Sequence, residues 1–109
     1  MDAKNIFIAC NRYSKHIKWV MLKGNEWNYI GVGDNYNERI VNNLIEQHFS
    51  DSEIYLVIDR HNSFLTQTQA AAQSIRELLN KGGLTISNKD FTKMIVFNRI
   101  GVVKYGASA

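Results

Sequence analysis

The stretch EIYLVIDRHNSF, Glu53 to Phe64, delivers an acid, a guanidinium and an imidazole in succession, Asp59, Arg60 and His61, where an apolar run ends. A carboxylate and a histidine are raw material for acid–base catalysis, because imidazole titrates near neutrality and a carboxylate can orient it. In a strand, neighbouring side chains point to opposite faces, so Asp59 and His61 share a face and Arg60 does not. The three residue types leave three roles open: catalysts, contacts for a partner, or the punctuation that ends a strand.

The remaining chemistry-bearing residues are scattered. His48 falls on an apolar helical stripe, the usual place of a core histidine, and His16 opens an amphipathic strand. The three histidines and one cysteine have no spacing that resembles a zinc site. Cys10 lies inside an apolar run; as a nucleophile it would need a base nearby to stabilise a thiolate. The run GVGD, Gly31 to Asp34, precedes a helix but lacks the spacing of a phosphate-binding loop. Aromatic residues are more telling: Tyr13, Trp19, Trp27, Tyr29, Tyr36, Tyr55 and Tyr105 are a rich set for so short a chain. Tyr and Trp suit partner interfaces, since each covers a large area with few rotatable bonds and keeps a polar tip.

Several elements must position these groups. NIFIAC, Asn5 to Cys10, reads as a short buried strand, HIKWVMLK as an amphipathic second strand, and WNYIGVG as a third joined to it through the Gly24-Asn25 turn. DNYNERIVNNLIEQHF changes period: Ile40, Val41, Leu44, Ile45, His48 and Phe49 make a helical stripe, and Asn35 with Glu38 resembles a capping box. EIYLVIDR suits a central strand covered on both faces. A second helix follows, with Thr66 or Thr68 as N-cap, an Ala71, Ile75, Leu78, Leu79 stripe and Gly82 as its stop. Strands near Leu84–Ser87, Phe91–Phe97 and Val102–Tyr105 complete the chain. The expectation is an α+β fold, with a mixed α/β arrangement as the variant: one domain over residues 1–109, built as three-strand meander, helix, strand, helix, then two or three strands.

Composition bounds the function. With 109 residues, 45% hydrophobic and 21% charged, the chain has material for one core. A net charge of +3 without a basic run argues against a nucleic-acid surface. No stretch has the length of a membrane span, and the apolar segment near the N-terminus is too short for a signal peptide. A single cysteine permits no internal disulfide and suits a reducing compartment, so a cytoplasmic location is expected.

Two resemblances carry functional expectations. The order of the first five elements resembles the ribonuclease H-like fold, which implies metal-binding carboxylates at Glu38, where the first helix starts, and at Asp59, after the fourth strand. The first strand has no Asp in the matching place, so the implied hydrolase is a degenerate one. The phrases NRYSKHIKWVMLKGNEWNYIGVGDNYNERIV, IYLVIDRHNSF and DFTKMIVFNRIGVVKYG resemble immunity proteins of bacterial contact-dependent growth inhibition systems. That resemblance implies a non-enzymatic cytoplasmic protein, without cofactor, metal or small-molecule substrate, that covers the active site or substrate surface of a cognate toxin domain. The expected partner-binding residues are Trp27, Tyr29, Asp34, Tyr36, Glu38, Asp59, Arg60 and His61. Aromatic anchors and a mixed rim, to which Asp51 and Glu53 add further acidic groups, would meet the toxin's cationic side chains.

Overall fold

Asp2 starts the first element: its carboxylate accepts the N–H of Asn5 at 2.9 Å and caps a helix, α1, over Ala3–Ser14. The expected strand Asn5–Cys10 is therefore helical. Its apolar residues obey both periods, but Ile6 and Cys10 stand one turn apart and are buried together, with Phe7 half-buried beside them, while Ile8 is exposed. The computed structural model describes residues 2–20, 28–31, 36–79, 81–99 and 101–108, so the Gly24-Asn25 turn and Asn35 lie outside the described residues.

The chain continues as β1 (Ile17–Val20), β2 (Asn28–Tyr29), α2 (Glu38–His48), β3 (Glu53–Val57), β4 (Phe64–Gln67), α3 (Thr68–Leu79), β5 (Leu84–Ser87), β6 (Lys93–Asn98) and β7 (Val102–Ser108). The α+β class holds, and the strands form one sheet in the order β1-β7-β6-β5-β3-β4, all pairs antiparallel. The opening meander does not form. β1 and β2 both pair with β7 and run the same way along it, Val20 opposite Tyr105 and Asn28 opposite Val103. Both lie along the same side of β7, and the ribonuclease H-like order fails from its first element, which is a helix.

A helical layer covers each face of the sheet. Val41 and Ile45 of α2 and Ala71, Ala72, Ile75 and Leu79 of α3 pack on Ile54, Leu56, Ile86, Ile95, Phe97 and Val103. On the opposite face α1 sets Ile6 and Cys10 against Ile17, Val57 and Met94. β3 is thus covered on both sides, as its continuous apolar run requires. α2 begins at Asn37, whose side chain accepts the N–H of Ile40 at 3.1 Å; this later cap replaces the expected Asn35. Thr66, read as a helix cap, lies in β4, and α3 starts at Thr68.

Two local devices shape the sheet. The β5–β6 turn is held by Asn88, whose side-chain oxygen accepts from the N–H groups of Thr92 and Lys93. Phe91 in that turn has φ 57°, a costly conformation for an L-residue, and its ring is buried between Tyr13 and Tyr55 at centroid distances of 5.7 and 5.2 Å. Gly101, φ 93°, turns β6 into β7, and a side chain there would meet Gly31 at 2.9 Å.

Candidate functional site

β3 ends at Val57, so Asp59, Arg60 and His61 lie in the hairpin loop to β4 and the alternation of a strand no longer decides which way they face. Asp59 is the centre of that loop. Its Oδ1 accepts the main-chain N–H groups of His61 and Asn62, each at 2.8 Å, and the side-chain amide of Asn62 at 2.9 Å. The Asn62 amide also lies 3.0 Å from Oδ2. Ser63 closes the loop from below: its hydroxyl donates to the carbonyl of Asp59 at 2.7 Å and accepts the N–H of Ile58 at 3.2 Å. This is the local chemistry that makes Asp a turn residue.

The electrostatics follow from those bonds. The Asn62 amide first, then the His61 N–H and the Asn62 N–H, hold the Asp59 carboxyl below the usual carboxylate range, and the charge of His61 adds a smaller pull. Asp59 meets the main chain of His61 rather than its ring, so of the roles left open the acid–base pair on one strand face gives way to a structural turn. Arg60 and His61 are left exposed on a loop fixed from within.

At the other side of the sheet, Tyr29 ends β2, and Ile30 and Gly31 donate to the carbonyl of Gly101. Tyr36 and Glu38 follow at the start of α2. The Tyr36 hydroxyl donates to the carbonyl of Ala72 at 2.6 Å and ties α3 to the segment before α2. Burial, and then the charge of Glu38, push the Tyr36 hydroxyl far above its ordinary value, with Arg76 opposing. Tyr36 is thus a packing residue with a satisfied hydroxyl; Glu38 is exposed. Trp27 and Asp34 lie outside the described residues.

The strand directions bring the two groups to one end of the sheet. β2 and β3 both finish there, where β5 and β7 begin, as the pairings of Tyr29 with Val102 and of Val57 with Thr85 require. Four strand spacings separate β2 from β3, about 19 Å, so the end is one surface with two patches rather than one pocket. Among the described residues no group of three His, Cys, Asp or Glu side chains could hold a metal ion. Among them, too, no helix is long and apolar enough to cross a membrane.

Sequence reasoning missed the apolar surface beside the loop. Phe64 and Leu65 of β4 are 39% and 41% exposed, and a groove between Phe64, Leu78, Lys81 and His61 adjoins them. Four residues are too few for an alternating pattern to register, and the only signal was two large apolar residues next to turn formers. The aromatic set is mostly spoken for: Tyr55 stacks on Phe91, Tyr105 on His48, and Lys104 sits 4.6 Å over the Trp19 ring. Of the members whose burial is described, Tyr13 is the exposed one, at 44%, with its ring on Phe91. No protein-family model matches the chain, and no curated protein or solved structure matches it either.

Proposed function

We propose that the chain is an immunity protein that binds a cognate bacterial toxin domain in the cytoplasm and neutralises it by covering its active site or substrate surface. The observation that carries this reading is the Asp59 loop. Its carboxylate is occupied by three donor groups of the loop itself, which leaves little capacity for proton transfer and fixes Arg60 and His61 as exposed groups on a short hairpin. Preorganised charged side chains beside exposed apolar ones are what a binding surface needs, since little ordering entropy remains to be lost on association. Glu38 adds an acidic group at the same end of the sheet, so the surface offers both signs to a partner.

Co-expression tests the reading. The neighbouring reading frame, expressed alone, is expected to arrest growth, and this chain is expected to restore growth and to copurify with its product in fixed stoichiometry. Replacing Arg60 and His61 by Glu together is expected to abolish protection while leaving the circular dichroism spectrum unchanged. No protection and no complex, with metal-dependent cleavage of RNA or DNA that Asp59→Asn removes, would overturn the proposal in favour of a hydrolase.

A further inference from the structure

The two edges of the sheet are defended unequally. The β1/β2 edge carries the exposed Lys18, a charge that opposes pairing with another strand. β4, with the sequence Phe-Leu-Thr-Gln, carries no charge and no proline, the usual devices against edge pairing.

The direction of its backbone groups follows from one bond. The N–H of Thr68 donates to the carbonyl of Ser52 at 2.8 Å, so Ser52 and Thr68 form a hydrogen-bonded antiparallel pair. Bonded and non-bonded pairs alternate, which makes Ile54–Thr66 and Leu56–Phe64 the next bonded pairs. Leu65 and Gln67 therefore point their N–H and C=O groups away from β3, toward the open edge.

The charges along that edge are polar in the same direction. Arg60 and Lys81 lie around its Phe64 end. Glu46 and Asp51 line a cleft with Gln67 and Thr68 at its other end, where Glu53 already pairs with Lys89 at 3.1 Å. An antiparallel partner strand would need the reverse polarity, and the sequence that supplies it is this one.

We propose that β4 is a self-association edge: two copies pair β4 antiparallel about a two-fold axis at Thr66, joining their sheets into one. In that register Leu65 of each copy opposes Gln67 of the other, and all four outward residues are used in four N–H···O bonds. Thr66 meets its own copy across the axis. The axis stands perpendicular to the sheet, so the α2/α3 layers of both copies stay on one face. Lys81, after α3 of one copy, then approaches Glu46 and Asp51, at the end of α2 and beyond it, of the other. The inference goes beyond the proposed function and needs no toxin.

Sedimentation velocity of the purified chain, across the micromolar range, tests it. A dimer is expected, and Leu65→Pro is expected to be a folded monomer, because its lost N–H faces the open edge and takes no part in the β3 ladder. Should Leu65→Pro fail to fold, charge exchange decides: Lys81→Glu is expected to weaken dimerisation about tenfold, and adding Asp51→Lys to restore it. A wild-type monomer throughout the range overturns the proposal and leaves the edge to a strand of another protein, which the co-expression test reads separately. A dimer unchanged in both Leu65→Pro and Lys81→Glu also overturns it.

Discussion

The imidazole of His48 stacks on the phenol ring of Tyr105, with ring centroids 3.8 Å apart and planes 29° from parallel. His48 closes α2 and Tyr105 lies in β7, so the stack pins the end of the helix to the sheet. The Nε2 atom is buried and has no hydrogen-bond partner. Burial, and then the charge of Lys93, push the His48 pKa below its ordinary value. The unfolded chain therefore takes up this proton more readily than the folded one. Stability from this group is complete above the unfolded value of 6.5, falls as pH drops below it, and levels off under the folded pKa. The urea midpoint of the wild type is expected to fall between about pH 7.5 and pH 5, and His48→Phe, which keeps a ring on Tyr105, to lose part of that fall. An equal fall in both proteins would assign the titration elsewhere.

Gly106 of β7 lies opposite Trp19, with the main chain of β1 close against it. A Cβ there would stand 2.5 Å from the carbonyl oxygen of Lys18 and 2.6 Å from Cγ2 of Ile17. The first obstacle is main chain, so the strand itself must move. Gly106→Ala is expected to cost about 1–3 kcal/mol in urea unfolding, in the range of overpacked sites. Because Ile17 belongs to the cluster under α1, amide exchange of β1 and α1 is expected to rise together. Exchange raised in β1 alone would mean that α1 holds to the sheet without Ile17.

What could be read in the sequence depended on how many residues carried each signal. α2 and α3 were legible because their stripes extend over three turns, and Leu84–Ser87 was legible by its bounding turns. Asn5–Cys10 was not, since six consecutive largely apolar residues fit either period; the deciding residue was Asp2, outside the run, acting as a cap. β4 is too short to show a period, and the pairing of both β1 and β2 with β7 joins residues some eighty positions apart, which no local pattern encodes. In the candidate site, the sequence marks Asp59 by its type and place but leaves catalyst, contact and strand-end punctuation all open; that the carboxylate reaches main-chain N–H groups depends on the turn, which no local pattern encodes.

That turn gives its own prediction. A carboxyl held below its ordinary value stabilises the loop above the unfolded pKa of 3.8, and the contribution is lost as pH falls through the folded value. Asp59→Ala removes the acceptor of the His61 and Asn62 N–H groups. Hydrogen exchange at those two amides is expected to accelerate at neutral pH, with the β3–β4 hairpin loosened and the β5–β7 strands unchanged. Asp59→Asn, which keeps an acceptor oxygen, is expected to fall between the two. If exchange at His61 and Asn62 were the same in Asp59→Ala as in the wild type, the carboxylate would not be what shapes the loop.

Cys10 reports on the other face of the sheet. Its thiol is buried beneath α1 beside Ile6, and desolvation pushes its pKa up to about 11. At neutral pH the thiol stays protonated, and a reagent must wait for the helix to lift. Alkylation of the native chain is expected to be slow, to accelerate in urea along the unfolding curve, and to become faster in Ile6→Ala, which weakens the same contact. The comparison between Ile6→Ala and a core substitution under the other layer, Ile75→Ala, separates local from global opening. If α1 opens by itself, Ile6→Ala raises the native alkylation rate more than its loss of global stability accounts for, and Ile75→Ala does not. Equal effects per unit of stability lost would mean that both helical layers open only as the whole fold does.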